Sequence, residues 1–371
     1  MINIFHIVSN KIWTGAEEYA YGLTHKLRND KDFYVEVVCR KHDVVLTHFR
    51  RLEIPISILP LKGVTDIDSP MRFARLLRKG HNVVHVHTFR DAFAAVMARR
   101  LSENPNTRVV LTVHGIAHPK SHYIYRRLYR AIDHYVFASK LAYDTWVNAM
   151  PGFNSSRASI IHESVMENPF AEPAINLREK LNVNEGQALI LYHGRICPEK
   201  GIDVLLRAAT QLDKHSFKLA IVGEGKRKYV STLKGFIVAN QLVRNVSLLG
   251  FQENIAQLIQ QCDFGVLPSV EPEAYGISNL EYMMQGKAHI STNNGAQTEY
   301  VIDGLNGIMV EPDNYFSLAT AMKNLIEDEN ARNRIGARAK ADFDNHLNYD
   351  VFYRQVTGLY KSLFNDSSNQ Q

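Results

Sequence analysis

The run FGVLPSVEPEAYGISNLE, residues 264–281, decides how the chain is read. It opens on a short apolar stretch, Phe264 to Pro268, which fits a strand buried on both faces. It closes on a helical pattern starting at Gly276. The loop between them carries Glu273, and Glu281 falls within the helix. A strand feeding a helix in this way is the repeating unit of a parallel sheet covered on both sides, and such sheets bind ligands beyond the carboxyl ends of their strands. The backbone N–H groups of Gly276, Ile277 and Ser278 at the helix start can hold a phosphate. A carboxylate inside that helix can accept hydrogen bonds from ribose hydroxyls.

A second loop of the same kind lies upstream. After a strand near Leu189 to Ile196 comes His193-Gly194-Arg195-Ile196-Cys197-Pro198-Glu199-Lys200-Gly201, leading into a helix at Ile202 to Leu212. An arginine fork and a lysine point charge suit the two phosphates of a diphosphate. Read alone, Arg195 and Lys200 are also two surface cations near a helix cap, Glu273 is also a capping carboxylate, and Glu281 is also a solvated one. Together the two loops favour the ligand reading.

Outward from these loops, strands are expected at Phe217 to Val222, Val246 to Leu249, His289 to Thr292 and Gly307 to Val310, with helices at Ile255 to Gln261 and Gly276 to Met284. The N-terminal half repeats the alternation. Its strands are Ile2 to Val8, Val35 to Cys39, Ile56 to Pro60, Val83 to His87, Val109 to Val113 and His134 to Ala138. Its helices are Ala16 to Arg28, Arg90 to Arg100 and Ser121 to Ile132. At 371 residues the chain exceeds one ordinary core. The expected division is 1–170, 171–345 and a C-terminal helix in 346–371 that returns to the first domain and ends in a frayed tail.

Composition narrows the class. With 45% apolar and 22% charged residues the chain is an ordinary globular protein. Its three cysteines, Cys39, Cys197 and Cys262, show neither zinc spacing nor a disulfide framework, which suits a reducing cytoplasmic compartment. The chain enters an apolar strand at once, and no apolar run is long enough for a membrane helix. Charge is uneven: residues 1–170 hold 23 Lys and Arg against 15 Asp and Glu, a net +8, and the remaining 201 hold 20 against 23, a net −3. Arginines cluster at Arg72, Arg75 and Arg78 and at Arg126, Arg127 and Arg130. They read either as solvated helix faces or as attraction to an anionic membrane on its cytoplasmic side. A nucleic-acid partner is disfavoured, because aromatic interleaving and a recognition-helix pattern are missing.

The motifs in sequence order resemble the retaining family-4 glycosyltransferases of GT-B fold. The resemblance rests on the Gly194 to Gly201 run, the Val222-Gly223-Glu224-Gly225 loop, Glu273 and Glu281 spaced as E-x7-E, Asn294 to Glu299, and Gly304 to Val310. It implies two Rossmann-like doubly wound domains facing each other across a cleft. The first would bind the acceptor and the second the nucleotide sugar. It also implies transfer of a hexosyl group from a nucleoside diphosphate sugar to an acceptor hydroxyl with retention, in polysaccharide or glycolipid (lipopolysaccharide) synthesis. A UDP sugar is favoured over a GDP sugar, no cofactor is needed, and a glycan or lipid-linked glycan is the acceptor. On this reading His114, at the end of the strand Val109 to Val113, and Glu273 are catalytic. Gly15, Arg195, Lys200, Gly223, Gly276, Ile277, Ser278 and Glu281 bind the nucleotide sugar, and no residue holds a metal.

Three departures stand out. Thr14 occupies one position of the family's paired-glycine loop, and His162-Glu163-Ser164 replaces an Asn-Gly pair. Ala296 also replaces a usual glycine. Of His85, His87, His118 and His122, the first two read as structural and the others stay undecided. Asp66-Ile67-Asp68 matches a metal-binding D-x-D pattern but lies far in sequence from the phosphate loops. A dehydrogenase would need G-x-G-x-x-G, and a glycosidase two carboxylates facing one bond. A sugar-nucleotide epimerase of the same architecture is the alternative, since fold does not fix chemistry.

Overall fold

The computed structural model describes residues 1–167 and 174–365. The polar tail from residue 366 onward, where fraying is expected, lies outside them. The chain forms two compact units, one of Met1–Glu163 with the segment from Asp350 onward, the other of Ser164–Tyr349. The limits fall after Glu163 and Tyr349, whereas the composition change in the sequence had placed them after residues 170 and 345.

The N-terminal unit runs β1 (Ile2–Val8), α1 (Gly15–Leu27), β2 (Phe33–Cys39), α2 (Asp43–Arg50), β3 (Ile56–Ile58), α3 (Asp68–Leu76), β4 (His81–Val86), α4 (Phe89–Ser102), β5 (Thr107–Val113), α5 (Tyr123–Ala131), β6 (His134–Phe137), α6 (Lys140–Ala149) and β7 (Ala158–Ile160). All seven strands are parallel, in the order β3-β2-β1-β4-β5-β6-β7. The seventh strand escaped the sequence reading because three residues carry too little periodicity. The core is aromatic on one side, where the indole of Trp146 stacks on Phe89 at 5.1 Å between centroids.

The C-terminal unit contains α7 (Leu177–Lys180), β8 (Ala188–His193), α8 (Ile202–Ala209), β9 (Phe217–Val222), α9 (Arg227–Ala239), β10 (Val246–Gly250), α10 (Ile255–Gln261), β11 (Phe264–Leu267), α11 (Ile277–Met284), β12 (Ala288–Thr292), β13 (Ile308–Val310), α12 (Tyr315–Glu327) and α13 (Glu329–Asp342). Its parallel sheet has the order β10-β9-β8-β11-β12-β13. β8 and β11 are buried along their whole length, as strands covered on both faces must be. Gly265 in β11 is small for a reason: a Cβ there would lie 2.2 Å from the Tyr282 ring, so α11 packs on the sheet through that aromatic.

The last helix, α14 (Tyr349–Asn365), packs on the N-terminal unit. Phe352 meets the Tyr19 ring at 5.1 Å, the Tyr353 hydroxyl donates to Asp30, and Lys361 pairs with Asp32.

Strand order fixes where a ligand can sit. In each sheet the winding reverses between two neighbouring strands, β1 and β4 in the first and β8 and β11 in the second. Loops diverge at such a point and leave a crevice. The loops leaving β8 and β11 are the two quoted from the sequence. They touch through Gly201, whose φ is +65° and whose missing Cβ would lie 2.0 Å from the Pro268 carbonyl oxygen. Gly201→Ala should therefore destabilise the C-terminal unit by about 2 kcal/mol or more through clash and left-handed strain. Calorimetry reads this as an earlier transition. An unchanged transition would show that the two loops are not held in contact.

Candidate nucleotide-sugar site

At the β8–β11 crevice the two loops are tied by backbone. Glu199 carbonyl oxygen accepts from the N–H groups of Val270 (3.0 Å) and Glu271 (3.2 Å). A third loop, after β9, joins them: Ile196 N–H donates to the Glu224 carbonyl at 2.7 Å. Gly223 allows this contact, since a Cβ there would lie 1.8 Å from the Gly194 oxygen. Its small size thus serves loop packing within the protein.

Lys200 and Glu273 meet directly, Nζ to Oε1 at 2.5 Å, and both side chains are largely buried. The Ser269 hydroxyl donates to the same carboxylate oxygen. From sequence these residues had separate duties, phosphate and sugar, and the fold pairs them. Arg195 is exposed, with its carbonyl accepting from the Tyr192 hydroxyl at 2.7 Å. Behind Glu273 the backbone closes on the segment after β12, where Ala296 N–H donates to the Glu273 carbonyl at 2.9 Å. Ala296 is fully buried beside it.

Gly276 caps α11 with φ +84°, and the Ser278 hydroxyl donates to the His193 carbonyl at 3.2 Å. The first-turn N–H groups of Ile277 and Ser278 have no partner within the helix. Glu281 does not stand in solvent, because His193 Nε2 lies 2.6 Å from its Oε2. His193 Nδ1 is 2.9 Å from the Tyr282 hydroxyl, which in turn donates to the Leu191 carbonyl at 2.7 Å. With the tyrosine proton spent on Leu191, His193 donates at Nδ1, and its contact with Glu281 is attractive only with a proton between them. His193 was not singled out from sequence as a site residue. Its place at the last position of β8 was the available signal.

In the N-terminal unit, Gly15 opens α1 after Thr14, which closes a capping box with Glu17. Among the described residues nothing lies within 4 Å of where a Gly15 Cβ would stand, so its backbone is open to approach. Thr14, a departure from the family pattern, thus works as the helix cap. His114 follows β5 with both ring nitrogens engaged, Nδ1 with Glu163 at 2.5 Å and Nε2 with His87 Nδ1 at 3.1 Å. Glu163, seen in the sequence only as a departure, is therefore the partner of His114. His87 continues to His6, and His85 lies between the Tyr360 hydroxyl (2.5 Å) and Thr112 (2.6 Å). The ligand atoms of His6, His85 and His87 all lie within 4.8 Å of one another, but both nitrogens of His85 and of His87 are already bonded to protein groups. Burial lowers the His6 pKa to about 3 and holds His85 and His87 well below the ordinary histidine range.

The remaining candidates are local structure. Asp66 closes a turn by accepting from Lys62 N–H (2.8 Å) and from Ser69, while Asp68 opens α3 and faces Arg72. His122 caps α5, accepting from Ile124 N–H at 3.3 Å, and His118 is exposed. Cys39 and Cys262 are buried thiols whose pKa burial pushes up to about 12, which leaves them unreactive.

Comparison with known proteins agrees with this layout. The family described as glycosyl transferases group 1 matches residues 174–342, and glycosyltransferase family 4 matches residues 13–165. The lipopolysaccharide 1,2-N-acetylglucosaminetransferase of Salmonella typhimurium is 29% identical over 52% of this chain and 54% of its own length. In several such matches the chain spans about half the length of the relative. The UDP-Gal:α-D-GlcNAc-diphosphoundecaprenol α-1,3-galactosyltransferase of Escherichia coli is 24% identical over 90% of this chain and 92% of its own. Among solved structures, Anabaena Alr3699/HepE in complex with UDP superposes with a TM-score of 0.84 at 20% identity, covering 98% of this chain and 100% of that one. Two parallel doubly wound units, each matched by one of the two family descriptions, show that the chain belongs to the family-4 glycosyltransferases of GT-B fold.

Proposed function

We propose that this protein transfers a glycosyl group, with retention, from a nucleoside diphosphate sugar to an acceptor hydroxyl in the synthesis of a cell-surface polysaccharide or glycolipid. The observation that carries the proposal is the convergence of Arg195, Lys200, the start of α11 and Glu281 on one switch point of the C-terminal sheet. A leaving diphosphate needs positive charge and fixed donors, and that edge offers both. Arg195, Lys200 and the N–H groups at Gly276, Ile277 and Ser278 are assigned to the diphosphate, Glu281 to the ribose, and Glu273 to the donor sugar. With the charge neutralised by side chains and a helix terminus, the proposed reaction needs no metal. His114 is assigned to the sugar on the side of the N-terminal unit, which receives the acceptor. A UDP sugar is favoured as donor, in keeping with the UDP bound by HepE and the UDP-Gal used by the E. coli relative.

Arg195→Ala and Lys200→Ala are expected to weaken UDP binding by about 1.5 to 3 kcal/mol each, the scale of a charge-assisted hydrogen bond. Lys200→Ala should be the worse because it strands Glu273 without its cation, and adding Glu273→Gln should recover part of the loss. Titration calorimetry in EDTA measures all three. Unchanged affinity in both single variants would place the diphosphate elsewhere, and loss of wild-type binding in EDTA would bring a metal into the site.

The carboxylates divide the work. Glu281→Gln should raise the dissociation constant for UDP, whereas Glu273→Gln should lower turnover of the donor found by screening UDP, GDP and ADP sugars. Wild-type kinetics in both variants would make the pair structural.

We further propose contact with an anionic membrane through the N-terminal unit. Its support is a cavity of about 370 Å³ lined by Lys120, Arg126, Arg130 and Arg157 with Met150 and Phe153, and by no carboxylate among the described residues. At about 1 kcal/mol per cation near such a surface, the cluster suffices for reversible adsorption. Vesicles containing phosphatidylglycerol should sediment the protein at low salt and release it at high salt. Arg126→Glu with Arg130→Glu should abolish the effect. Equal binding to neutral phosphatidylcholine vesicles would refute an electrostatic contact.

A further inference from the structure

Behind His114 the N-terminal unit holds a column of imidazoles joined nitrogen to nitrogen. Glu163 Oε1 meets His114 Nδ1 at 2.5 Å, His114 Nε2 meets His87 Nδ1 at 3.1 Å, and His87 Nε2 meets His6 Nδ1 at 3.1 Å. The column ends there, since His6 Nε2 is buried with no hydrogen-bond partner among the described residues. Glu163 and all the rings behind His114 are buried.

A neutral imidazole has one N–H and one lone pair, so each ring that donates at one nitrogen must accept at the other. With all three rings neutral, only two proton arrangements satisfy every link. In the first, Glu163 is ionised and accepts from His114 Nδ1–H. His114 Nε2 then accepts from His87 Nδ1–H, His87 Nε2 accepts from His6 Nδ1–H, and the column ends in a bare lone pair at His6 Nε2. In the second, Glu163 is protonated and donates, every ring is reversed, and the column ends in a buried N–H with nothing to donate to. Orphaned buried N–H groups are the rarer and costlier defect, and an ionised carboxylate facing an N–H is the stronger bond. The first arrangement wins on both counts. Burial keeps His6 and His87 neutral, so neither ring carries a second proton that would relax the constraint.

We infer that Glu163 is a positioning residue that, together with His87 and His6, locks His114 into the Nδ1–H tautomer and fixes its ring. The lock acts from both sides. Glu163 selects the proton position, and His87 holds Nε2 so that the ring cannot turn away. A proton arriving at His114 Nε2 would face the His87 N–H, and accommodating it would require reversing two buried rings and creating the orphan N–H at His6. The His114 ring is thereby held in one orientation, as a group that must meet a ligand in a fixed pose requires. Glu163 stands where the family pattern has an Asn-Gly pair. The functional weight of the lock rests on His114 serving the donor sugar, but its existence does not.

The test is nitrogen NMR of the full-length protein with labelled histidine, which separates Nδ1–H from Nε2–H rings, with His6, His87 and His114 assigned by His6→Phe, His87→Asn and His114→Asn. The expected wild-type spectrum has all three as Nδ1–H, the minor form of free histidine. Glu163→Gln keeps an acceptor and should preserve that pattern. Glu163→Leu removes it and should let the whole column reverse, taking His114, His87 and His6 together to the Nε2–H form, with turnover falling about tenfold to a hundredfold, as when a partner that orients a functional histidine is lost. UDP affinity by calorimetry should stay at the wild-type value, because the residues assigned to the diphosphate and the ribose lie in the other unit. A wild-type His114 in the Nε2–H form would overturn the inference whether or not any variant folds, and so would a Glu163→Leu protein that keeps both tautomer and turnover. Loss of UDP binding in Arg195→Ala and Lys200→Ala is judged separately, so failure of the lock and failure of the proposed function remain distinguishable.

Discussion

The bond between Lys200 and Glu273 is the constraint on which the C-terminal site depends. It joins the loop after β8 to the loop after β11, the two strands between which the sheet reverses its winding. A buried ion pair adds little net stability, because each charge loses its hydration, but breaking one side leaves the other uncompensated. Such a pair is better understood as a means of holding two loops in one arrangement. The Ser269 hydroxyl and the Glu199 carbonyl reinforce it from either side. The arrangement also explains the glycines: loops clamped this tightly leave no volume for a Cβ at Gly201 or Gly223.

The same principle governs Glu281. A carboxylate on an exposed helix face would sample many rotamers and lose that freedom on binding. Here His193, itself tethered to Tyr282, holds one oxygen before any ligand arrives. Tyr282 also packs on Gly265 of β11, so the helix that carries Glu281, the strand that precedes its loop and the histidine that orients it share one contact. If Glu281 holds ribose as proposed, fixing it through a second layer of side chains lowers the entropic cost of recognition.

The N-terminal unit solves a related problem with different chemistry. Its sheet presents His6, His85 and His87 from adjacent strands into a buried layer, where charged rings would be expensive. Neutral rings that pass a single hydrogen-bond direction from one to the next satisfy one another without charge. Tyr360 and Tyr19, with Phe352 of the returning helix behind Tyr19, close the layer around them. The C-terminal helix therefore does more than end the chain, since it seals the polar core beside His114.

Strand and helix alternation, and with it the doubly wound fold class, was legible in the sequence because buried parallel strands are continuous apolar runs and the helices between them keep their own period. The loops that carry Arg195, Lys200, Gly276 and Glu281 were legible too, because they sit where a strand hands over to a helix. What the sequence could not supply was pairing between residues distant along the chain. Lys200 and Glu273 are 73 residues apart, His193 and Glu281 are 88 apart, and His114 and Glu163 are 49 apart. Periodicity describes only what lies within a few residues, so it placed each of these groups at a strand end or in a loop without revealing its partner. Sequence by itself determined which elements form and which residue types stand at their ends. The tertiary structure decided which of those ends meet, because strand order in a parallel sheet is set by packing of whole elements, and only that order brings the loops of β8 and β11, or the histidines of β1 and β4, side by side.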